Sequence, residues 1–259
     1  MKDIEENKKR FNIRHLLVII VILIIIIAVI ISVKHFTLKK EYSPQTALAN
    51  ELPRFRLIDM DDIGDLGDRD NDGINDQKDI MLGAKKQLEE PAGNIYLEED
   101  ELNYYKEGDP PEGLALSTDI IARAFMKAGF DLREMVYEDI KNNFGQYPLR
   151  EIWGQTVCDK NIDYRRIQNL EVFFMRNAES LDILFDCSRA DKLERWLPGD
   201  VIFFDMDGDG FSDTAGIISD STTREGIPKI IYNHIDPGYT TEKDILREEI
   251  ITGHYRFPE

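Results

Sequence analysis

The sequence predicts an α+β domain, helices first and antiparallel strands later. Two observations carry this reading. Between residues 117 and 177 the apolar residues recur at helical spacing. After Pro198-Gly199-Asp200 the pattern changes to short strand-like runs separated by turns. Helical runs succeeded by strand runs belong to α+β rather than α/β architecture.

The elements are justified in chain order. Residues 16–33 (LLVIIVILIIIIAVIISV) hold no charge and no proline. At 1.5 Å per residue the run spans roughly 27 Å, close to a bilayer core of about 30 Å. It is longer than a signal-peptide core, and the small-residue site Ala47-Leu48-Ala49 lies far downstream, so it reads as an uncleaved transmembrane helix. Lys2, Lys8, Lys9, Arg10 and Arg14 precede it, whereas only Lys34, Lys39 and Lys40 come soon after it. That bias makes residues 1–15 a cytoplasmic tail and sets the C-terminal domain outside the cell, on a single-pass anchor in the cell membrane. Residues 34–58, with Pro44 and Pro53, read as a linker.

The formal net charge is −18. Residues 1–40 carry eight Lys/Arg and three Asp/Glu, net +5, so residues 41–259 carry −18 − 5 = −23. Such a domain repels nucleic acid and anionic lipid and favours cations, basic partners or plain solubility. Cys158 and Cys187 are the only cysteines, and sequence leaves open whether they form a disulfide.

Residues 59–90 form an acidic loop and then a helix, expected over 79–90. Asp68, Asp70, Asp72, Asp76 and Asp79 occupy positions 1, 3, 5, 9 and 12 of an EF-hand-type loop. Gly73 stands at the sharp turn of position 6, and Ile74 at position 7 would offer its carbonyl. Oxygen ligands alternating along a tight loop suit Ca²⁺, which takes six to eight of them. Aspartate at position 12, in place of glutamate, resembles dockerin-type loops. Asp59, Asp61, Asp62 and Asp65 lie just upstream in no usable register. A second stretch repeats positions 1, 3, 5, 6 and 9 with Asp205, Asp207, Asp209, Gly210 and Asp213, and Phe211 would supply the carbonyl. Its position 12 is Gly216, so the second site is expected to be weaker. A plain Asp/Gly hairpin turn explains this second stretch as well.

Residues 91–113 read as a loop rich in Pro and Gly. Ser117 is a good N-cap for a helix carrying Ile120, Ile121, Ala124, Phe125 and Ala128 on one face, stopping at Gly129. Helices are expected over 131–143 and 164–177. Strands are expected at Val201–Asp205, Thr214–Ser219, Lys229–Asn233 and Thr252–Phe257.

From Asp70 onward the chain resembles the domain-of-unknown-function 1287 family, a branch of the papain-like NlpC and CHAP cysteine hydrolases. The resemblance rests on NDGINDQKDIMLGAKK, STDIIARAFMKAGFDLREMVYEDIKNNFGQYP, NIDYRRIQNLEVFF, LPGDVIFFD, AGIISD and ITGHYRF, in that order. It implies a papain-like domain over 91–259, helices packed on an antiparallel sheet. It also implies a nucleophilic Cys where Ser117 stands and a catalytic His where Thr214 stands. The family's His-Asn pair looks like Tyr232-Asn233, and its Asp-His-Arg-Arg looks like Asp163-Tyr164-Arg165-Arg166. A helix N-terminus and a nearby imidazole activate a thiol, but a Ser hydroxyl needs a base and Thr is not one.

Residues 41–259 hold two histidines, His234 and His254. His254 in Gly253-His254-Tyr255-Arg256 reads as structural. His234 comes directly after Asn233 and could replace the base, but strand alternation would turn it away unless a bulge intervenes. Arg165 and Arg166 read as partners of acids, Trp153 and Trp196 as core. The expected function is a membrane-anchored, calcium-stabilised module that has lost Cys/His catalysis. It would bind peptidoglycan or a cell-surface protein through the old cleft, lined by Ser117, Thr214 and Asn233. The alternatives are an active hydrolase using Ser117 with His234, and a Ca²⁺-dependent structural or adhesion protein.

Overall fold

The computed structural model describes residues 67–95, 104–187 and 195–258. The apolar run 16–33, its flanks, the linker and Asp59, Asp61, Asp62 and Asp65 lie outside the described residues. Among the described residues, no helix is long and apolar enough to cross a membrane.

The architecture is mixed α/β, with an antiparallel sheet and helices. The helices are α1 (Asp76–Lys86), α2 (Ser117–Lys127), α3 (Leu132–Asn143), α4 (Leu149–Trp153) and α5 (Ile167–Asn177). Two short strands, β1 (Gly93–Asn94) and β2 (Leu114–Ala115), pair in parallel. The main sheet holds β3 (Glu179–Ser180), β4 (Val201–Asp205), β5 (Thr214–Thr222), β6 (Pro228–Asn233), β7 (Thr240–Lys243) and β8 (Ile250–Arg256). Its order is β3-β8-β4-β5-β6-β7, antiparallel throughout.

Strand alternation explains why the central strands are apolar on both sides. Val201 and Phe203 of β4, Ala215 and Ile217 of β5 and Ile231 of β6 pack against Ile80 of α1, Ile120, Ile121 and Phe125 of α2 and Phe173 and Phe174 of α5. Ile202, Phe204, Ile218, Ile230 and Tyr232 face the other way, onto Trp196, Ile245 and Leu246. Rings tighten the first layer: Phe174 lies 5.4 Å from Phe125 and 5.9 Å from Phe203, both edge to face. Ile80 and Ala84 put α1, which leaves the acidic loop, in this same core.

Asp200 is fully buried and gathers the sheet's far corner. It accepts from Gln77 Nε2 at 2.7 Å and from Arg256 at 2.8 and 2.7 Å. His254 Nε2 is 3.0 Å away, and the His254 ring stacks on Trp196 at 4.1 Å. His254 and Trp196 are therefore built into the core. Gly199 makes this corner possible: its φ is +95°, and a Cβ there would lie 2.3 Å from the Gln77 carbonyl oxygen.

Several boundaries differ from expectation, each for a local reason. Helix α1 starts at Asp76, not 79, because the Asn75 side chain accepts the Lys78 N–H at 2.9 Å and caps it there. Leu116, not Ser117, is the N-cap of α2: Asp119 Oδ2 reaches back to the Leu116 N–H at 2.8 Å, so the Ser117 hydroxyl is not needed for capping. The helix expected over 164–177 begins at Ile167, after a 3-10 turn Asp163–Arg165 whose Asp163 and Arg165 side chains are buried in ion pairs. Strand β1 interrupts the expected loop 91–113. Strand β7, written in polar residues at the sheet edge, has no apolar pattern to announce it. Cys158 and Cys187 are free thiols.

Candidate functional site

A cleft of about 550 Å³ opens at the N-terminus of α2, the turn Asp163–Arg165, the β4–β5 connection and the end of β6. Ser117, Thr214, Asn233 and His234 all line it. Residues spread over more than a hundred positions thus converge, because α2 packs on β5 and β6 in the first core layer.

The floor is built of small, neutral side chains. Ser117 and Thr214 are both buried, and the Thr214 hydroxyl donates to the Asn233 carbonyl at 3.3 Å. The Asn233 side chain ties neighbouring segments together. Its amide donates to the Ala92 carbonyl and to Thr240 Oγ1, both at 3.0 Å, and its Oδ1 accepts from Asn94 at 2.7 Å.

The sequence-based objection to His234 does not hold. Strand β6 ends at Asn233, so alternation no longer sets the direction of His234. The chain turns there, the Gly238 N–H closing on the His234 carbonyl at 3.0 Å. Asn233 and His234 consequently line one cleft.

Behind the floor stands a buried ionic scaffold. Arg165 grips Asp119 with two bonds, 2.8 and 3.1 Å, and both side chains are fully buried. Thr118 Oγ1 donates to the Arg165 carbonyl at 3.1 Å, fixing the start of α2 to the turn. Arg166 pairs with Asp163 at 3.1 Å and lies 4.2 Å over the Trp153 ring. Burial pushes the Asp163 carboxyl up to about 6, although the Asp159 N–H and Arg166 favour the charge. Arg165 and Arg166 thus partner acids, as expected. Trp153, expected in the core, packs against it while one side lines the cleft.

The two acidic stretches have different settings. In the first, Asp68, Asp70 and Asp72 bring carboxylate oxygens within 4.8 Å of one another. Asp68 accepts the Asp72 and Gly73 N–H groups at 3.1 and 3.0 Å, and Asp72 accepts that of Ile74 at 2.9 Å. Asp76 turns to the Arg69 N–H at 2.8 Å. Asp79 is buried, and its Oδ2 has no hydrogen-bond partner. Burial raises its carboxyl above the ordinary range, and Lys127 only partly offsets this.

In the second stretch Asp205, Asp207 and Asp209 also approach within 4.8 Å. Here Asp205 accepts the Gly208 and Gly210 N–H groups at 2.7 and 2.8 Å, and Asp213 accepts that of Met206 at 2.6 Å. Burial alone would raise the Asp205 carboxyl, but these N–H groups outweigh it and hold it below the ordinary range. Asp207 and Asp213 line the cleft, whereas Phe211 is exposed. The hairpin turn thereby becomes one wall of the cleft.

Sequence reasoning missed Asn94, Gln168 and Ile235 in the lining, and Lys127 beside the first acidic loop. Asn94 sits in a stretch without periodicity, and Lys127 is 48 positions from Asp79, so no local signal marks either.

The model of the family "Domain of unknown function (DUF1287)" matches residues 82–257. The "Uncharacterized protein YijF" of Escherichia coli (strain K12) is 33% identical over 153 residues, 59% of this chain and 69% of that protein. No solved structure matches the chain.

Proposed function

The chain belongs to the DUF1287 family, and from that premise we propose that it is a papain-like binding module without cysteine-hydrolase chemistry. It would be held outside the cell by the apolar segment 16–33 and would take a cell-wall peptide or glycan in its cleft. The observation that carries this reading is the meeting of Ser117 and Thr214 in one cleft. These are the positions where the resemblance puts thiol and imidazole. Thr214, which stands where the resemblance puts the imidazole, cannot take a proton from the Ser117 hydroxyl near neutral pH. The cleft nevertheless keeps polar and aromatic lining, including Asn94, Gln168 and Trp153, suited to amide and hydroxyl groups.

The test is co-sedimentation of the protein with purified peptidoglycan, together with analysis of the soluble fraction for released fragments. The expected result is saturable binding with no fragments. Ile235→Glu, at the exposed rim, should weaken binding, and Ser117→Ala should leave it intact. One observation favours a second reading, an active hydrolase: His234 lines the same cleft as Ser117. Fragments that disappear in both Ser117→Ala and His234→Ala would establish that reading and overturn the first.

A further inference from the structure

We infer that the loop from Asp68 to Asp79 is a Ca²⁺ site in which the buried carboxylate of Asp79 closes the coordination shell and Lys127 is a built-in competitor for the ion.

Three carboxylates converging on an exposed loop would not carry this alone; the decisive group is Asp79. Its side chain is 1% exposed, on the first turn of α1, and its Oδ2 has no partner. A buried carboxylate oxygen left unpaired has lost its water and gained nothing in exchange, which is costly unless a ligand supplies the missing partner. Its other oxygen, Oδ1, meets Lys127 at the edge of the acidic loop. One ammonium lies 3.1 Å from Asp79 Oδ1 and 3.3 Å from Asp72 Oδ2. Asp79 and the acidic loop therefore already share a cation, supplied by the last turn of α2.

A single positive charge is a poor match for what surrounds it. Asp68, Asp70, Asp72 and Asp79 offer four carboxylates, and Lys127 can neutralise only one. A lysine ammonium can satisfy at most three acceptors and here reaches two. A divalent ion bound by Asp68, Asp70, Asp72, the Ile74 carbonyl and Asp79 would have five protein groups, all oxygen. With Asp79 binding through both oxygens, or with water, these reach the six to eight ligands of Ca²⁺. Mg²⁺ demands a tighter, near-ideal octahedron and gives up water reluctantly, so a shell of carboxylates and a carbonyl selects against it. Lys127 is 45% exposed and can swing into solvent when the ion arrives.

The site is independent of what the cleft binds, and it is tested separately. The full chain, purified in mild detergent and stripped with chelator, is titrated calorimetrically with CaCl₂ and with MgCl₂. A saturable Ca²⁺ site is expected, with Mg²⁺ at least tenfold weaker. Asp79→Asn, which keeps the shape and removes the charge, should weaken Ca²⁺ at least tenfold. Asp70→Asn, on the exposed part of the loop, should do the same even if the Asp79 variant folds poorly. Lys127→Met should tighten Ca²⁺ several-fold, the signature of a displaced competitor. Absence of saturable binding overturns the inference. So does binding that survives Asp79→Asn and Asp70→Asn but is lost in Asp209→Asn, which would put the ion in the hairpin loop. Unchanged affinity in Lys127→Met removes the competitor role.

Discussion

The floor of the cleft and the scaffold behind it differ in kind, although they belong to the same few turns of chain. On the floor stand two small neutral residues, Ser117 and Thr214, the latter bonded to nothing more distant than the next strand. Two residues beyond Ser117, Asp119 is locked to Arg165 with no exposure to solvent. Geometry and reactivity are therefore separable here. The floor's side chains are small and neutral, while those that place them are under strong electrostatic constraint.

The contrast is broken most severely by Asp119→Ala. It takes from the buried Arg165 guanidinium both of its bonds to Asp119, removes the reach-back bond to Leu116, and frees the start of α2. Breaking a buried pair from one side costs about 3–5 kcal/mol. Against a total stability of roughly 5–15 kcal/mol, this should move the urea midpoint far down or prevent folding. A midpoint within experimental error of wild type would show that the ion pair places nothing.

Asn233→Ala probes the floor where it merges with the scaffold. The variant removes one of the donors to the Ala92 carbonyl, takes from Thr240 Oγ1 the amide it accepts from, and releases the Asn94 side chain. The expected loss is about 1–3 kcal/mol in the same denaturation experiment. Cleft binding should weaken as well, because Asn94 lines the cleft through this bond. Loss of stability without any change in binding would mean that Asn94 contributes nothing to the ligand.

Legibility in the sequence divides along the same line. The central strands could be read, Val201–Asp205 to the residue, because they are apolar on both faces and bounded by Pro, Gly and Asp turns. The long helices could be read from their apolar stripes. Strand β7 could not, since an edge strand of Thr, Thr, Glu and Lys buries too little to impose a pattern. The cleft residues on α2, β5 and β6 were legible only through a family resemblance, and Asn94 and Lys127 not at all, since tertiary packing alone brings them in. The two acidic stretches are the sharpest case. They share the 1-3-5-6-9 spacing, but one runs into a helix and supplies Asp79, whereas the other turns into β5 and supplies Gly216. The element that each loop enters, helix or strand, decides which residue stands at position 12, which the shared spacing does not.

A third effect concerns pH. Burial raises Asp163 in the folded protein to about 6, above its ordinary value of 3.8. A group whose folded value is raised contributes stability that is fully present below its unfolded value. That contribution is lost as the pH rises through the folded value, here between about 4 and 6. Asp163→Asn is neutral throughout and should lack this component. The difference in unfolding free energy between wild type and variant should therefore shift toward the variant by on the order of 1 kcal/mol from pH 4.5 to 7.5. A difference that stays constant over that range would mean that Asp163 titrates at its ordinary value and that the scaffold tolerates its charge without cost.

The smallest effect is expected at the position the resemblance makes most important. Ser117 donates no hydrogen bond on which the capping of α2 depends, since Asp119 performs that task through Leu116. Ser117→Ala should change the unfolding free energy by less than about 1 kcal/mol. A larger loss would place Ser117 within the scaffold and erase the distinction between floor and scaffold. With stability unchanged, the same variant isolates the chemistry of the cleft. Ligand binding that also stays unchanged leaves the hydroxyl no role beyond shape, as expected of a floor whose placing residues lie behind it.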